Sequence, residues 1–108
     1  MYFILNNNKY LEQIAESLLF CLIYNKLECD FVFKIDKNDN DNIYIILNIN
    51  TINELPEKYI IYNLEQLISD RIWNDDFYDK CKKAINIFDY SLENIKIFKK
   101  NDLLAYHL

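Results

Sequence analysis

Four consecutive apolar residues, Tyr59-Ile60-Ile61-Tyr62, stop abruptly at Asn63-Leu64-Glu65-Gln66-Leu67. An unbroken run of β-branched and aromatic residues fits a strand covered on both faces, as in a parallel sheet with helices on either side. Residues 43–49 form a second buried-looking run, so 43–47 and 59–62 are expected to be central strands. The polar residues that end the 59–62 run then fall at a strand's carboxyl end, the edge at which open α/β sheets bind ligands.

Around these two runs the chain reads as alternating elements. Residues 2–5 predict a first strand, closed by Asn6-Asn7-Asn8, which also suits a helix cap. A helix is predicted over 9–26, with Leu11, Ile14, Ala15, Leu18 and Leu22 on one stripe. Residues 30–35 alternate, Phe31, Phe33 and Ile35 against Asp30, Val32 and Lys34, as in a half-exposed strand near a sheet edge. The polar turn 37–42 is short for a parallel crossover, so the pairing of 30–35 with 43–49 stays open between parallel and antiparallel. Its Asp/Asn run lacks the glycine and the glutamate of a calcium loop, and no metal site is expected.

A connector carrying Pro56 leads to the strand 59–63, and a short turn of helix is expected at Gln66-Leu67-Ile68. Trp73 lies in the loop that follows, where it either stacks on a ligand or packs the loop down. Asn74 caps a helix with Phe77, Cys81 and Ala84 on its buried face. A strand over 85–88 ends at Asp89-Tyr90, and Ser91 caps a helix with the face Leu92, Ile95 and Phe98. A last strand is expected at 103–106. Helices separating apolar strands make a three-layer, Rossmann-like α/β domain spanning 1–108, with a mainly parallel sheet of five to six strands and helices on both faces.

The helix at 9–26 has a second apolar side. Phe20 and Tyr24 lie one helical step apart, roughly opposite the Leu stripe. A helix apolar on two sides is covered twice or carries a contact surface, so Phe20 and Tyr24 are candidates for a homodimer or partner interface.

Glycine is absent from all 108 residues. Phosphate-cradling loops need glycine for close backbone approach, so neither a GxGxxG nor a Walker A loop is possible. No cofactor is expected. The net charge of −5 argues against nucleic-acid binding and against an anionic membrane surface. Cys21, Cys29 and Cys81 are widely spaced with no CxxC and read as reduced thiols. The longest apolar run, 18–24, is too short to span a bilayer, and the start lacks a signal-peptide pattern. An intracellular, cytoplasmic location is the resulting expectation.

With parallel strands, the carboxyl ends collect Asn6 and Asn7, then Asn63, Glu65 and Gln66, then Asp89, Tyr90 and Ser91, and finally His107. Glu65 and Asp89 follow successive strands, so the two carboxylates could meet one hydroxyl-bearing ligand, one of them as base. The ordinary alternative is that Asp89 and Ser91 cap a helix while Glu65 and Gln66 satisfy loop backbone. His107, the only histidine, has no nucleophile or metal-ligand partner at a recognisable spacing.

Residues 58–67, Lys58-Tyr59-Ile60-Ile61-Tyr62-Asn63-Leu64-Glu65-Gln66-Leu67, and 87–95, Ile87-Phe88-Asp89-Tyr90-Ser91-Leu92-Glu93-Asn94-Ile95, together resemble glycosyltransferase-like proteins of bacteria and giant viruses. In those, a "YIIYNLEQL" strand is followed by a "(W/F)DYSxxNI" strand and helix. The resemblance covers roughly the second half of the chain, and the first half only by strand order. It implies the acceptor-side N-terminal lobe of a two-lobed GT-B enzyme, whose other lobe grips the nucleotide-sugar. On that basis Asn63, Glu65, Gln66, Asp89, Tyr90 and Asn94 would line a sugar-acceptor site. A second-lobe protein would be the partner, in host cytoplasm or virion, and the chain alone would not catalyse. Two other readings stand beside it: a scaffold module that self-associates, and a small enzyme using Glu65 and Asp89 on a sugar or nucleoside.

Overall fold

The structure, a computed structural model, describes residues 1–67 and 73–108. Its strands are β1 (Tyr2–Leu5), β2 (Cys29–Val32), β3 (Ile43–Ile46), β4 (Tyr59–Asn63), β5 (Asn86–Asp89) and β6 (Tyr106–His107). The helices among the described residues are α1 (Glu12–Tyr24), α2 (Asp75–Lys83) and α3 (Leu92–Lys100), with short 3-10 turns at Lys9–Leu11 and Ile49–Thr51. The six strands form one sheet in the order β2-β1-β3-β4-β5-β6, and every neighbouring pair is parallel. The domain is thus Rossmann-like α/β, as the alternation of apolar strands and capped helices predicts. Among the described residues, no helix is long and apolar enough to cross a membrane.

The open pairing question resolves through β1. Strands β2 and β3 are not neighbours; each is parallel to β1, which lies between them. The turn 33–42 therefore crosses over a strand without a helix of its own. Asp39 organises its end, with one carboxylate oxygen accepting from the Asp41 and Asn42 N–H groups (3.0 and 3.1 Å) and the other from Asn42 Nδ2 (2.8 Å) and the Tyr44 hydroxyl (3.2 Å). These bonds hold the Asp39 carboxyl below the usual carboxylate range. The alternation expected over 30–35 stops at Val32, and Phe33 is exposed. The last strand forms later than expected, at 106–107, because Leu103 is taken up in closing α3.

That closure recurs at α1. Leu27 N–H returns to Leu22 carbonyl and Lys26 N–H to Ile23, while Leu103 returns to Phe98 and Asp102 to Lys99. Both are Schellman ends, whose left-handed residue is usually glycine. Here Lys26 (φ 61°) and Asp102 (φ 60°) stand in its place. A chain without glycine bears the Cβ cost of that conformation at two helix ends.

Handedness decides which sheet face each helix covers. Parallel crossovers are right-handed almost without exception. Only β1→β2 runs toward the β2 edge; the others run toward β6. The α1 crossover therefore lies on one face, and α2 and α3 on the other. The α2/α3 face is the fuller core: Tyr44, Ile46, Tyr59, Ile61 and Ile87 of the sheet meet Phe77, Cys81 and Phe98. Trp73 joins it edge-on to Phe77, Tyr78 and Phe98, with ring centroids 5.4–6.0 Å apart. Its role is thus the packing one. Of α3's predicted face, Phe98 is buried, Ile95 is half-buried and Leu92 is exposed. Lys80 is buried too, which its sequence position did not signal. Its ammonium bonds Ile49 carbonyl (3.3 Å) and pairs with Asp76 (3.0 Å). On the α1 face only Ala15 of the predicted stripe is buried, with Leu11, Ile14, Leu18 and Leu22 half-buried.

Tyr44, Tyr59 and Cys81 put titratable groups in the larger core, and burial raises the pKa of each. The Tyr59 hydroxyl donates to Lys80 carbonyl. Burial, aided by the neighbouring Cys81, pushes its pKa up to about 12. Burial likewise pushes the Cys81 thiol to about 12, against the pull of Lys80. In the unfolded chain these groups ionise at their ordinary values, 10.0 and 9.0. Between those values and about 12 the folded state holds more protons, so stability is full below pH 9 and falls as pH rises. Urea melts from pH 8 to 11 (a range chosen at roughly those ordinary values) should show this fall, and Tyr59→Phe should flatten its upper part. A stability flat across the range would contradict it.

Candidate functional site

Asn63 and Asp89 are direct partners in the β4–β5 register. Period two places them on the same face as Ile61 and Ile87, at the carboxyl edge of the larger core. Ser91 caps α3, its hydroxyl oxygen accepting from the Asn94 N–H. The first turn of α3 thereby sets Asn94 over the strand pair.

The three side chains close on one another. Asp89 has no solvent exposure, and Asn63 and Asn94 are 2% exposed. One Asp89 oxygen accepts from Ser91 N–H (2.8 Å) and Asn94 Nδ2 (3.1 Å), the other from Asn63 Nδ2 (2.8 Å) and Asn94 Nδ2 (3.2 Å). Both amide groups also donate to Glu65 carbonyl at 2.8 Å. Asn94 Oδ1 accepts from Leu67 N–H (3.1 Å), and Asn63 Oδ1 from Glu65 N–H (3.4 Å). A buried carboxylate is tolerated here because every donor around it points inward. The network ties the loop after β4 to β5 and α3.

Of the six predicted rim residues, the structure brings together Asn63, Asp89 and Asn94. Glu65 joins only through its backbone, and its side chain is exposed, as is that of Gln66. Tyr90 is exposed, with its carbonyl 3.1 Å from His107 Nε2. Glu65 and Asp89 therefore do not present two carboxylates to a common ligand. Burial, then the nearby Asp89, raises the Tyr62 phenol on the opposite face of β4. Gln66 and Leu67 end the described stretch, so the turn expected through Ile68 lies outside the described residues.

A different opening lies at the reversal of strand order between β1 and β3, where open α/β sheets form their ligand crevice. A hollow of about 480 Å³ lies elsewhere, beside Ile95, Lys99 and Leu104. The one at the carboxyl ends of β2, β1 and β3, about 330 Å³, is lined by Asn7, Phe33, Lys34, Thr51, Asn53 and Glu54. Beside it Asn48 Nδ2 donates to Asn7 Oδ1 (3.2 Å) and Thr51 Oγ1 (3.0 Å), while Asn48 Oδ1 is enclosed with no donor among the described residues. The sequence marks Asn7 as a strand-end residue but gives no strand order, and the order is what locates the crevice.

No family model, curated protein or solved structure matches the chain.

Proposed function

We propose that this chain is a non-catalytic protein-interaction module on a Rossmann-like scaffold. The observation that carries this reading is the closed Asn63–Asp89–Asn94 network. The carboxylate best placed to act as a base has both oxygens occupied by donors of its own chain and no path to solvent. A general base must reach the proton it removes. The chemistry at the β4–β5 edge is thereby used to fasten a loop and a helix, and the exposed apolar surface is left for partners.

A second reading, the acceptor-side lobe of a glycosyltransferase-like protein, is favoured by the crevice at the β1/β3 reversal. Asn7, Thr51 and Asn53 line it beside one charge of each sign, Lys34 and Glu54, a balance that suits a hydroxyl-rich ligand better than a phosphate. Such a shallow, half-open site would bind weakly, near millimolar or about 4 kcal/mol.

Titration of the 15N-labelled chain with monosaccharides and nucleotide-sugars separates the two. The interaction reading expects no saturable shifts at either the β4–β5 edge or the β1/β3 crevice. Saturable shifts confined to Asn7, Asn48 and Thr51 would favour the acceptor lobe. Turnover of a nucleotide-sugar by the isolated chain would overturn the interaction reading outright.

A further inference from the structure

The strand order leaves the sheet with two open edges, β2 and β6. An edge strand turns unpaired N–H and C=O groups outward and is a template for pairing with another chain. Strand β6 is only two residues long, and brevity is itself a protection. Strand β2, with four residues, is the longer edge. Its register says which of its groups face outward. Tyr2 N–H donates to Glu28 carbonyl (2.9 Å) and Asn6 N–H to Val32 carbonyl (2.8 Å). Alternate residues of a strand bond the same neighbour, so the backbone groups of Glu28, Asp30 and Val32 serve β1. Those of Cys29 and Phe31 therefore point away from the sheet.

The sequence of this edge favours strand pairing. Cys29-Asp30-Phe31-Val32-Phe33 is apolar and β-prone, holds neither proline nor glycine, and has Asp30 as its one charge. Short windows of that kind are the ones that pair edge to edge when exposed. Asp30 is itself exposed, and one of its carboxylate oxygens accepts from the Phe31 N–H at 2.8 Å. That N–H is the outward donor at the middle of the edge. An incoming strand needs this donor and would also have to strip water from the carboxylate beside it.

We propose that Asp30 is a stopper on the open edge of the sheet, occupying the Phe31 N–H and so keeping β2 from pairing with β2 of a second copy. In an antiparallel pair, facing residues exchange both of their N–H···O bonds. Two copies pairing about Phe31 would each need the N–H that Asp30 holds. Pairing about Asp30 calls on the same N–H, to bond Cys29 of the other copy, and sets two carboxylates opposite each other, which is unfavourable. The hydrogen bond and the charge thus block neighbouring registers together. This goes beyond the interaction reading and does not depend on it: it names a surface closed to strand addition, whatever partner the rest of the chain has.

Sedimentation velocity over a concentration series, with amide hydrogen exchange followed at Phe31, tests the stopper in Asp30→Ala and Asp30→Asn. Asp30 is exposed, so both variants should fold. In dilute Asp30→Ala the Phe31 amide should exchange at least about 10-fold faster than in the natural chain. The same variant should associate further than the natural chain as concentration rises. Asp30→Asn keeps an oxygen in the accepting position, so it should retain both the slow exchange and the natural sedimentation. Unchanged Phe31 exchange in Asp30→Ala would overturn the proposal by showing that the carboxylate does not hold that N–H. Faster exchange without added association would overturn it by showing that the edge is closed by something else. An Asp30→Asn variant that associates as strongly as Asp30→Ala would overturn it in favour of charge alone.

Discussion

Replacing Asp89 with alanine is expected to lower the unfolding free energy by about 3–5 kcal/mol. The carboxylate is fully buried and receives donors from Asn63, Ser91 and Asn94. Its removal leaves Ser91 N–H with no acceptor in a dry site and the Asn63 and Asn94 amides with Glu65 carbonyl alone, and each unsatisfied group costs about 1–3 kcal/mol. A small domain has only about 5–15 kcal/mol in all. Asp89→Asn should also destabilise despite its matching shape, because its amide nitrogen adds a donor where only donors converge. A urea melt reads both. A residue kept for chemistry at a solvent edge would behave otherwise, with little loss or even a gain of stability on removal.

The second large effect is at Phe98, which is fully buried between α3 and the sheet. Its ring lies 5.9 Å from Trp73 and 6.3 Å from Phe77. Phe98→Ala should cost about 3–5 kcal/mol, since a rigid aromatic cluster collapses poorly around the cavity. Tryptophan fluorescence should report the change directly through Trp73. A loss below about 1 kcal/mol would show that the α3 contact is peripheral.

Much of this was legible from residue pattern. The unbroken run 59–62 belongs to a strand with neighbours on both sides, and Asn74 and Ser91 cap the helices they were expected to cap. Phe20 and Tyr24 were legible as a second apolar side of α1, and both are exposed. The strand order was not legible, because it depends on how crossovers traverse the sheet, and no single segment encodes that. In consequence the crevice at the β1/β3 reversal could not be located. The rim was half legible: Asn63, Asp89 and Asn94 were all among its six expected residues, but the carboxylate expected beside Asp89 was Glu65, and that the three close on one another depends on a rotation of Asn94 that only the first turn of α3 defines. The burial of Lys80 had no sequence signal, since Lys80, Lys82 and Lys83 look alike as last-turn lysines.

The claim that Asp89 belongs to the fold is tested most directly by a double-mutant cycle with Asp89→Ala and Asn94→Ala. It is measured by urea unfolding in a stabilising sulfate buffer, so that both single variants and the double variant remain folded at the start. A closed network predicts a coupling energy of about 1–3 kcal/mol, because removing either partner already forfeits what the other would lose. Additivity within about 0.5 kcal/mol would contradict it, leaving the Asp89 carboxylate unexplained by structure.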